Sequence, residues 1–325
     1  MKAKITKIKN FQKNTHIQGF FLVREKHVRS TRTNHPYLQL YLQDNTGSID
    51  AKVWEDVPAF EKSFMEGDAV VVKGRVSEYR EQLQLEIEDI GKASPEKHAE
   101  YGFELAKLIP STKHNVSQMW RELAKIIKGM TNTHLKALIS EIYRKNAEVI
   151  KSHPASMKLH HAWLGGFLEH VLSMAKMGVQ LGEHYQVDTD LLLTGIMLHD
   201  IGKLEELNPV QRPGYTDRGR LVGHIVLGRD IAREVMATLK DFPADLQLKV
   251  EHMILSHQGK YEYQSPKQPK FKEALLLHYI DELDARMNMM NEVIENDAES
   301  GSWTNRFNYF RIPLLKGDLG ENADY

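Results

Sequence analysis

The chain has 325 residues, 41% hydrophobic and 27% charged, with 43 Lys and Arg against 44 Asp and Glu. This is a globular composition, long enough for two domains, and it excludes disordered and fibrous classes. There is no cysteine, which excludes disulfides, thiolate zinc sites and cysteine nucleophiles, whereas the sixteen histidines are a compositional anomaly.

The first 35 residues carry nine Lys and Arg against the single Glu25. Such a field attracts anionic ligands, nucleic acid foremost, although a solvated basic edge guarding a strand fits as well. No apolar core follows these basic residues, so no signal peptide is expected. The longest apolar stretch, Leu191 to Leu198, falls short of the ~20 residues that a bilayer crossing needs. The expectation is a soluble cytoplasmic protein with no membrane partner.

From residue 15 to 90 the pattern has period 2. After a first strand near 17–24, Leu38, Leu40 and Leu42 alternate with Tyr37, Gln39, Tyr41 and Gln43. A turn at Asp44 to Gly47 leads to Ile49, Ala51 and Val53, alternating with Asp50, Lys52 and Trp54. A short helix at 58–64 separates these from strands at 69–76 and 82–89, the last with Leu83, Leu85 and Ile87 on one face. Five strands with a helix between the third and fourth predict an OB-fold β-barrel, which binds oligonucleotides across strands 2 and 3. That face carries Tyr37, Tyr41, Lys52 and Trp54 as candidate strand-binding residues. Stacking contributes ~1–3 kcal/mol per base. The alternative is that these rings pack against a neighbouring domain.

After the breaker-rich stretch 91–102 the period turns helical, with amphipathic segments at 116–127 and 134–150 read as a connector and covering layer. His114, His134 and His153 read as surface or cap residues. Further helices are expected at 163–184, 188–201, 219–239, 244–256 and 272–295. The layout is therefore a barrel domain at 1–92, a helical connector at 93–156, an all-α bundle at 157–296 and a tail at 297–325. The tail holds Trp303, Phe307, Tyr309 and Phe310 with Arg306 and Arg311. It reads as a docking strap that could contribute to a homo-oligomer contact, or as a terminus tethered by aromatics.

The strongest chemical signal is the apolar run from Leu191 that ends in His199-Asp200 and continues to Gly202-Lys203. Two ionisable groups at the end of a buried helix are costly unless something pairs them. A divalent metal would, and imidazole with carboxylate suits Mn, Fe, Co, Ni or Zn. Four more ligand-type residues, His170, His224, His257 and Asp281, stand in apolar helical contexts about one helix apart.

The series His170, His199-Asp200, His224, His257 and Asp281 resembles the HD superfamily of metal-dependent phosphohydrolases. The words Gly-Phe-Leu-Glu-His170, His199-Asp-Ile-Gly-Lys203, Gly-His224-Ile-Val-Leu-Gly and Asp281-Glu-Leu-Asp-Ala, behind an OB-fold, resemble its YhaM-type 3′–5′ exoribonuclease branch. The resemblance implies a primary metal at His170, His199, Asp200 and Asp281, with Asp200 bridging. His224 and His257 would complete a second ion or orient phosphate. The cofactor is then one or two divalent ions, manganese first, with Fe, Co, Ni, Zn or Mg as alternatives. Lys203 would neutralise charge on the phosphoryl oxygens, or simply end its helix. His160 and His161 would contact phosphate or protonate the leaving oxygen, or form a surface pair. Glu169, Asp284, Arg286 and His278 are expected to support these groups or the core. The implied substrate is single-stranded RNA, with single-stranded DNA second, and the products are nucleoside 5′-monophosphates. The competing readings are a phosphohydrolase of small nucleotides and a nucleic-acid-binding protein with a vestigial HD site.

Overall fold

The computed structural model describes residues 5–317 except 32, 80–81, 157–160, 162, 209–213 and 298. His160, with Lys2, Lys4 and Arg32 of the basic N-terminal field, lies outside the described residues. The chain divides into two compact units, Met1–Ser111 with Leu207–Thr216, and Thr112–Glu206 with Asp217–Tyr325.

In the first unit, β1 (His16–Ser30), β2 (Pro36–Asp44), β3 (Gly47–Val53), α1 (Val57–Ser63), β4 (Ala69–Tyr79) and β5 (Gln82–Lys92) follow in the expected order. They close a barrel in the order β1-β2-β3-β5-β4, antiparallel except for the β3–β5 pair. Leu38, Leu40, Leu42, Ile49, Ala51 and Val53 all point into its core, as their alternation predicts. Strand β1 is longer than its hydrophobic run because it serves two partners. Residues 16–22 pair with β4 and residues 22–30 with β2, with a register shift between Val23 and Glu25. A second shift, between Lys73 and Gly74, adds one residue to β5 opposite and changes its phase. Ile90 therefore joins Leu85 and Ile87 in the core. Gly74 is required there, since a Cβ would lie 2.3 Å from the Glu86 carbonyl oxygen. Leu83, expected on the buried face, is instead exposed, because it pairs with Glu78 at the strand tip beyond the core. After the barrel comes α2 (Pro95–His98).

The second unit contains α3 (Val116–Gly129), α4 (Thr133–Lys145), α5 (Ala147–Ser152), α6 (Gly166–His184), α7 (Thr189–Leu198) and α8 (Lys203–Glu206). The chain then forms the short strands β6 (Leu207–Asn208) and β7 (Gly214–Tyr215), which count with the first unit, before the second unit resumes with α9 (Asp217–Leu221), α10 (His224–Thr238), α11 (Ala244–Ser256) and α12 (Lys272–Asn296). Asn115, Asn132 and Asp188 accept backbone N–H groups at the starts of α3, α4 and α7. Every residue of α7 from Leu191 to Leu198 is buried, so this helix forms the axis of the bundle. Close packing around it depends on Gly178 and Gly195, whose Cβ positions fall 2.5 Å from Ile196 and 2.2 Å from Met253.

The expected helix 219–239 is two helices, broken at Gly223 with φ +80°. The expected helix 163–184 begins only at Gly166, after Gly165 at φ +80°. His153 is buried rather than a surface or cap residue. It follows α5 into the core, where its ring meets Phe167 edge-on and Nδ1 donates to the Pro154 carbonyl. Between residues 297 and 317 the tail staples itself into a loop. Thr304 N donates to Leu314 O at 2.8 Å and Lys316 pairs with Asp297 at 2.7 Å. Trp303, Phe307 and Tyr309 project from it into solvent. Among the described residues, no helix is long and apolar enough to cross a membrane.

Candidate metal centre and nucleic-acid interface

Five elements of the bundle deliver six side chains to one buried cluster. His170 comes from the first turns of α6, His199 and Asp200 from the end of α7, His224 from the first residue of α10, His257 from the end of α11 and Asp281 from α12. Nε2 of His170 lies 3.3 Å and Nε2 of His199 3.8 Å from Asp281 Oδ1. Nε2 of His224 and His257 lie 3.5 and 3.7 Å from Asp200 Oδ1. The other Asp200 oxygen is 3.3 Å from His199 Nε2. Two groups thus have metal-ligand spacing, His170-His199-Asp281 and Asp200-His224-His257, and Asp200 of the second also faces His199 of the first.

Each imidazole is fixed through its other nitrogen. Nδ1 donates to Asp284 in His170 (2.7 Å), to Ile196 O in His199 (2.8 Å), to Glu206 in His224 (3.1 Å) and to Ile254 O in His257 (2.8 Å). All four partners are oxygen acceptors, so Nδ1 is the donor and Nε2 is the atom that takes a proton or a cation. The Gln258 side-chain amide lies 3.1 Å from His257 Nε2.

The electrostatics of the cluster follow from this packing of imidazoles and carboxylates. Burial alone pushes the His199 imidazole down, yet the Asp200 and Asp281 carboxylates outweigh it and carry the group up to about 9. Burial and the neighbouring His199 push His257 down to about 4. Although burial works against them, Asp200 and Asp281 are held well below the usual carboxylate range, by Lys203 and His199 and by His199 and His170 respectively. His199 Nε2, His224 Nε2 and Asp200 Oδ1 are buried without a hydrogen-bond partner. Buried polar atoms in that state are rare and costly, and a divalent cation among them would satisfy all three. The donor set therefore fits a hard or borderline metal.

Around the cluster, Lys203 is buried with Nζ 2.6 Å from Asp200 Oδ2, so it is already engaged by a candidate ligand. Glu206, which sequence reasoning missed, accepts from both the backbone N and Nδ1 of His224. Its only signal was its place one turn past Lys203. The glycine of His-Asp-Ile-Gly202 has a packing reason, since its Cβ would lie 2.0 Å from the His224 carbonyl oxygen. His161 is not brought among the Nε2 atoms. It is buried on the Nδ1 side of His170, with Nε2 3.1 Å from Asp284 and Nδ1 3.4 Å from Glu169. His278 supports the His257 carbonyl through Nδ1 at 2.9 Å, and Arg286 pairs with Glu282 at the surface.

On the barrel, the Tyr37 and Trp54 rings pack at an interplanar angle of 31° with centroids 4.7 Å apart. The Lys52 ammonium is 5.7, 5.4 and 5.2 Å from the rings of Tyr37, Trp54 and Tyr79. Tyr79, at the end of β4, was not foreseen, because strand alternation does not reveal which strand ends meet. Tyr41 stands apart from this group. Cross-strand pairing puts it between Glu25 and Asp50, and it lines a pocket with both, together with His27 and Gln39. Part of the basic field is engaged internally, since Lys26 sits 4.1 Å over the Phe64 ring and Lys13 pairs with Glu78.

Three family models match the chain: "HD domain" over residues 167–286, "OB-fold nucleic acid binding domain" over 23–93, and "Putative helicase" over 108–191. The 3′-5′ exoribonuclease YhaM of Shouchella clausii (strain KSM-K16) is 34% identical over 293 residues, 89% of each chain. The protein of the same name from Bacillus subtilis (strain 168) is 32% identical over 293 residues, 89% of this chain and 91% of its own. Among solved structures, the second OB-fold domain of replication protein A from Methanococcus maripaludis aligns with 28% of this chain and 96% of its own, at 24% identity and a TM-score of 0.24.

Proposed function

The chain belongs to the YhaM family of 3′–5′ exoribonucleases, and from that premise we propose that it is a divalent-metal-dependent nuclease. It would remove nucleoside 5′-monophosphates one at a time from the 3′ end of single-stranded RNA in the cytoplasm, with single-stranded DNA as a secondary substrate. The observation that carries this reading is the convergence of four tethered imidazoles on Asp200 and Asp281.

His170, His199, Asp281 and Asp200 would hold one ion, and Asp200, His224 and His257 a second, with manganese the first candidate. When bound, such ions polarise phosphoryl oxygens and lower the pKa of water at the site. The protein's own residues do the rest. Lys203 holds Asp200 as a carboxylate in one orientation, and its ammonium adds positive charge where phosphoryl oxygens become more negative. Glu206 and Asp284 fix the ring planes of His224 and His170. Tyr37, Trp54 and Tyr79, with Lys52 beside them, receive unpaired bases and phosphate. Tyr41 adds a ring, but its two carboxylate neighbours disfavour phosphate there. Barrel, connector, bundle and tail divide at about residues 92, 156 and 296.

The test compares a linear 5′-labelled RNA with its circular form, with and without Mn²⁺. A metal-dependent ladder shortening from the 3′ end, with the circle resistant, is the expected result. Degradation of the circle at a comparable rate would mean internal cleavage, and hydrolysis of mononucleotides alone would mean a small-molecule phosphohydrolase.

A further inference from the structure

A chain of buried polar groups runs away from the centre through His170. Asp284 Oδ2 accepts from His170 Nδ1 at 2.7 Å and from His161 Nε2 at 3.1 Å, and the Ser173 hydroxyl donates to its other oxygen. Beyond His161 stands Glu169, 3.4 Å from Nδ1. Glu169 is in turn held by the Thr112 hydroxyl and by Trp163 Nε1 at 3.0 Å. These residues come from three places: the loop before α3, the segment leading into α6 with α6 itself, and α12.

The backbone at His161 is as constrained as its ring. The residue adopts φ +47°, a left-handed conformation that costs a side-chain-bearing residue free energy. Its N–H donates to Asn288 Oδ1 at 3.0 Å and its carbonyl accepts from Ala155 N at 3.1 Å. Gly166 packs so closely that a Cβ would lie 2.1 Å from that carbonyl oxygen. His161, His170 and Asp284 have metal-ligand spacing of their own. However, Asp284 already accepts from three donors, so its oxygens are engaged by hydrogen bonds rather than set out for a third ion. Asp281 and Asp284 are three residues apart on α12, on adjoining parts of one face. An anchor on Asp284 therefore also orients Asp281.

We propose that Glu169 and His161 are positioning residues for the metal centre, acting through Asp284 to fix His170 and Asp281. Glu169 is the acceptor that keeps the His161 ring turned toward Asp284, and without it the ring can rotate away. Asp284 then loses a donor, and His170 loses the fixed orientation of its Nε2. The proposal rests on the metal-dependent reading above.

The test is calorimetric titration of the full chain, stripped of metal, with MnCl₂, alongside the unfolding temperature of the metal-free protein. Outer partners of metal-bound histidines typically change affinity by about 10–100-fold. Glu169→Gln and His161→Asn are expected to raise the Kd for Mn²⁺ on the order of tenfold. Thr112→Val, which removes the hydroxyl that donates to Glu169 and accepts from the exposed His114 N–H, should raise it less. The metal-free unfolding temperature of Thr112→Val should stay close to wild type, and this variant decides the matter if the other two fail to fold. Wild-type Mn²⁺ affinity in folded variants, whether or not their unfolding temperature drops, would make the arm mere scaffold and overturn the proposal. A wild-type protein that binds no divalent ion would instead overturn the metal-dependent reading, and the proposal with it.

Discussion

The centre of the helical bundle and the face of the barrel solve different problems with different materials. In the bundle, every candidate ligand is buried or nearly so, and each of the four histidines is tied at its second nitrogen, His170 by Asp284, His224 by Glu206, and His199 and His257 by carbonyls of their own helices. On the barrel, Trp54 and Tyr79 are exposed, and ring contacts with Tyr37 and a nearby ammonium organise the cluster. Chemistry at phosphorus requires ligands placed to fractions of an ångström, whereas stacking on any base tolerates adjustment. The division teaches that turnover and strand affinity should be separable by mutation.

The largest expected effect that would break this comparison comes from metal removal. A chelator should abolish turnover, while binding of a 20-mer to the barrel survives. Adding Mn²⁺ at a hundred times its Kd should stabilise the bundle by about 2.7 kcal/mol. Hydrogen exchange should detect that gain in α6, α7 and α12 and not in β1–β5. Next, Glu206→Gln should weaken Mn²⁺ binding by about 10–100-fold, as read by titration, without changing the Kd for a 20-mer. On the other side, Trp54→Ala should cost ~1–3 kcal/mol of 20-mer affinity and leave dinucleotide hydrolysis nearly unchanged. Fluorescence anisotropy on the two lengths checks this, and equal losses would mean the ring is structural. The smallest effect is expected for Tyr41→Ala, below that of Trp54→Ala. Glu25 and Asp50 flank this ring, and the half-buried Arg24 guanidinium near it only partly offsets their repulsion of the phosphates that would follow a stacked base.

The two regions also differ in how much of them is legible from sequence. The barrel's strand order and inward residues follow from period-2 alternation, but its bulge does not. Nothing before Gly74 announces that β5 changes phase after Ile87. The six clustered residues of the bundle stand out because each is a polar interruption of an apolar helix. Their partners do not stand out in that way. Glu206 looks like any acidic residue at the end of a short helix, and its role depends on α9 and α10 turning at Gly223 to bring His224 back. His161 reads either as a phosphate contact or as a surface residue at a helix start, because the left-handed turn that buries it is set by contacts with Asn288 and Gly166, distant in sequence or invisible to periodicity. Tyr79 joins Lys52 only because the barrel closes.

The most direct test of the division of labour is to measure binding and turnover together on His199→Ala and Asp200→Ala with one labelled 20-mer RNA in Mn²⁺. Loss of a metal ligand that removes about 4 kcal/mol of transition-state stabilisation lowers turnover roughly 10³-fold. The account predicts a turnover loss of at least that size, with the 20-mer Kd within a few-fold of wild type. Equal losses of binding and turnover in folded variants would contradict it, because the strand would then be held by the centre itself.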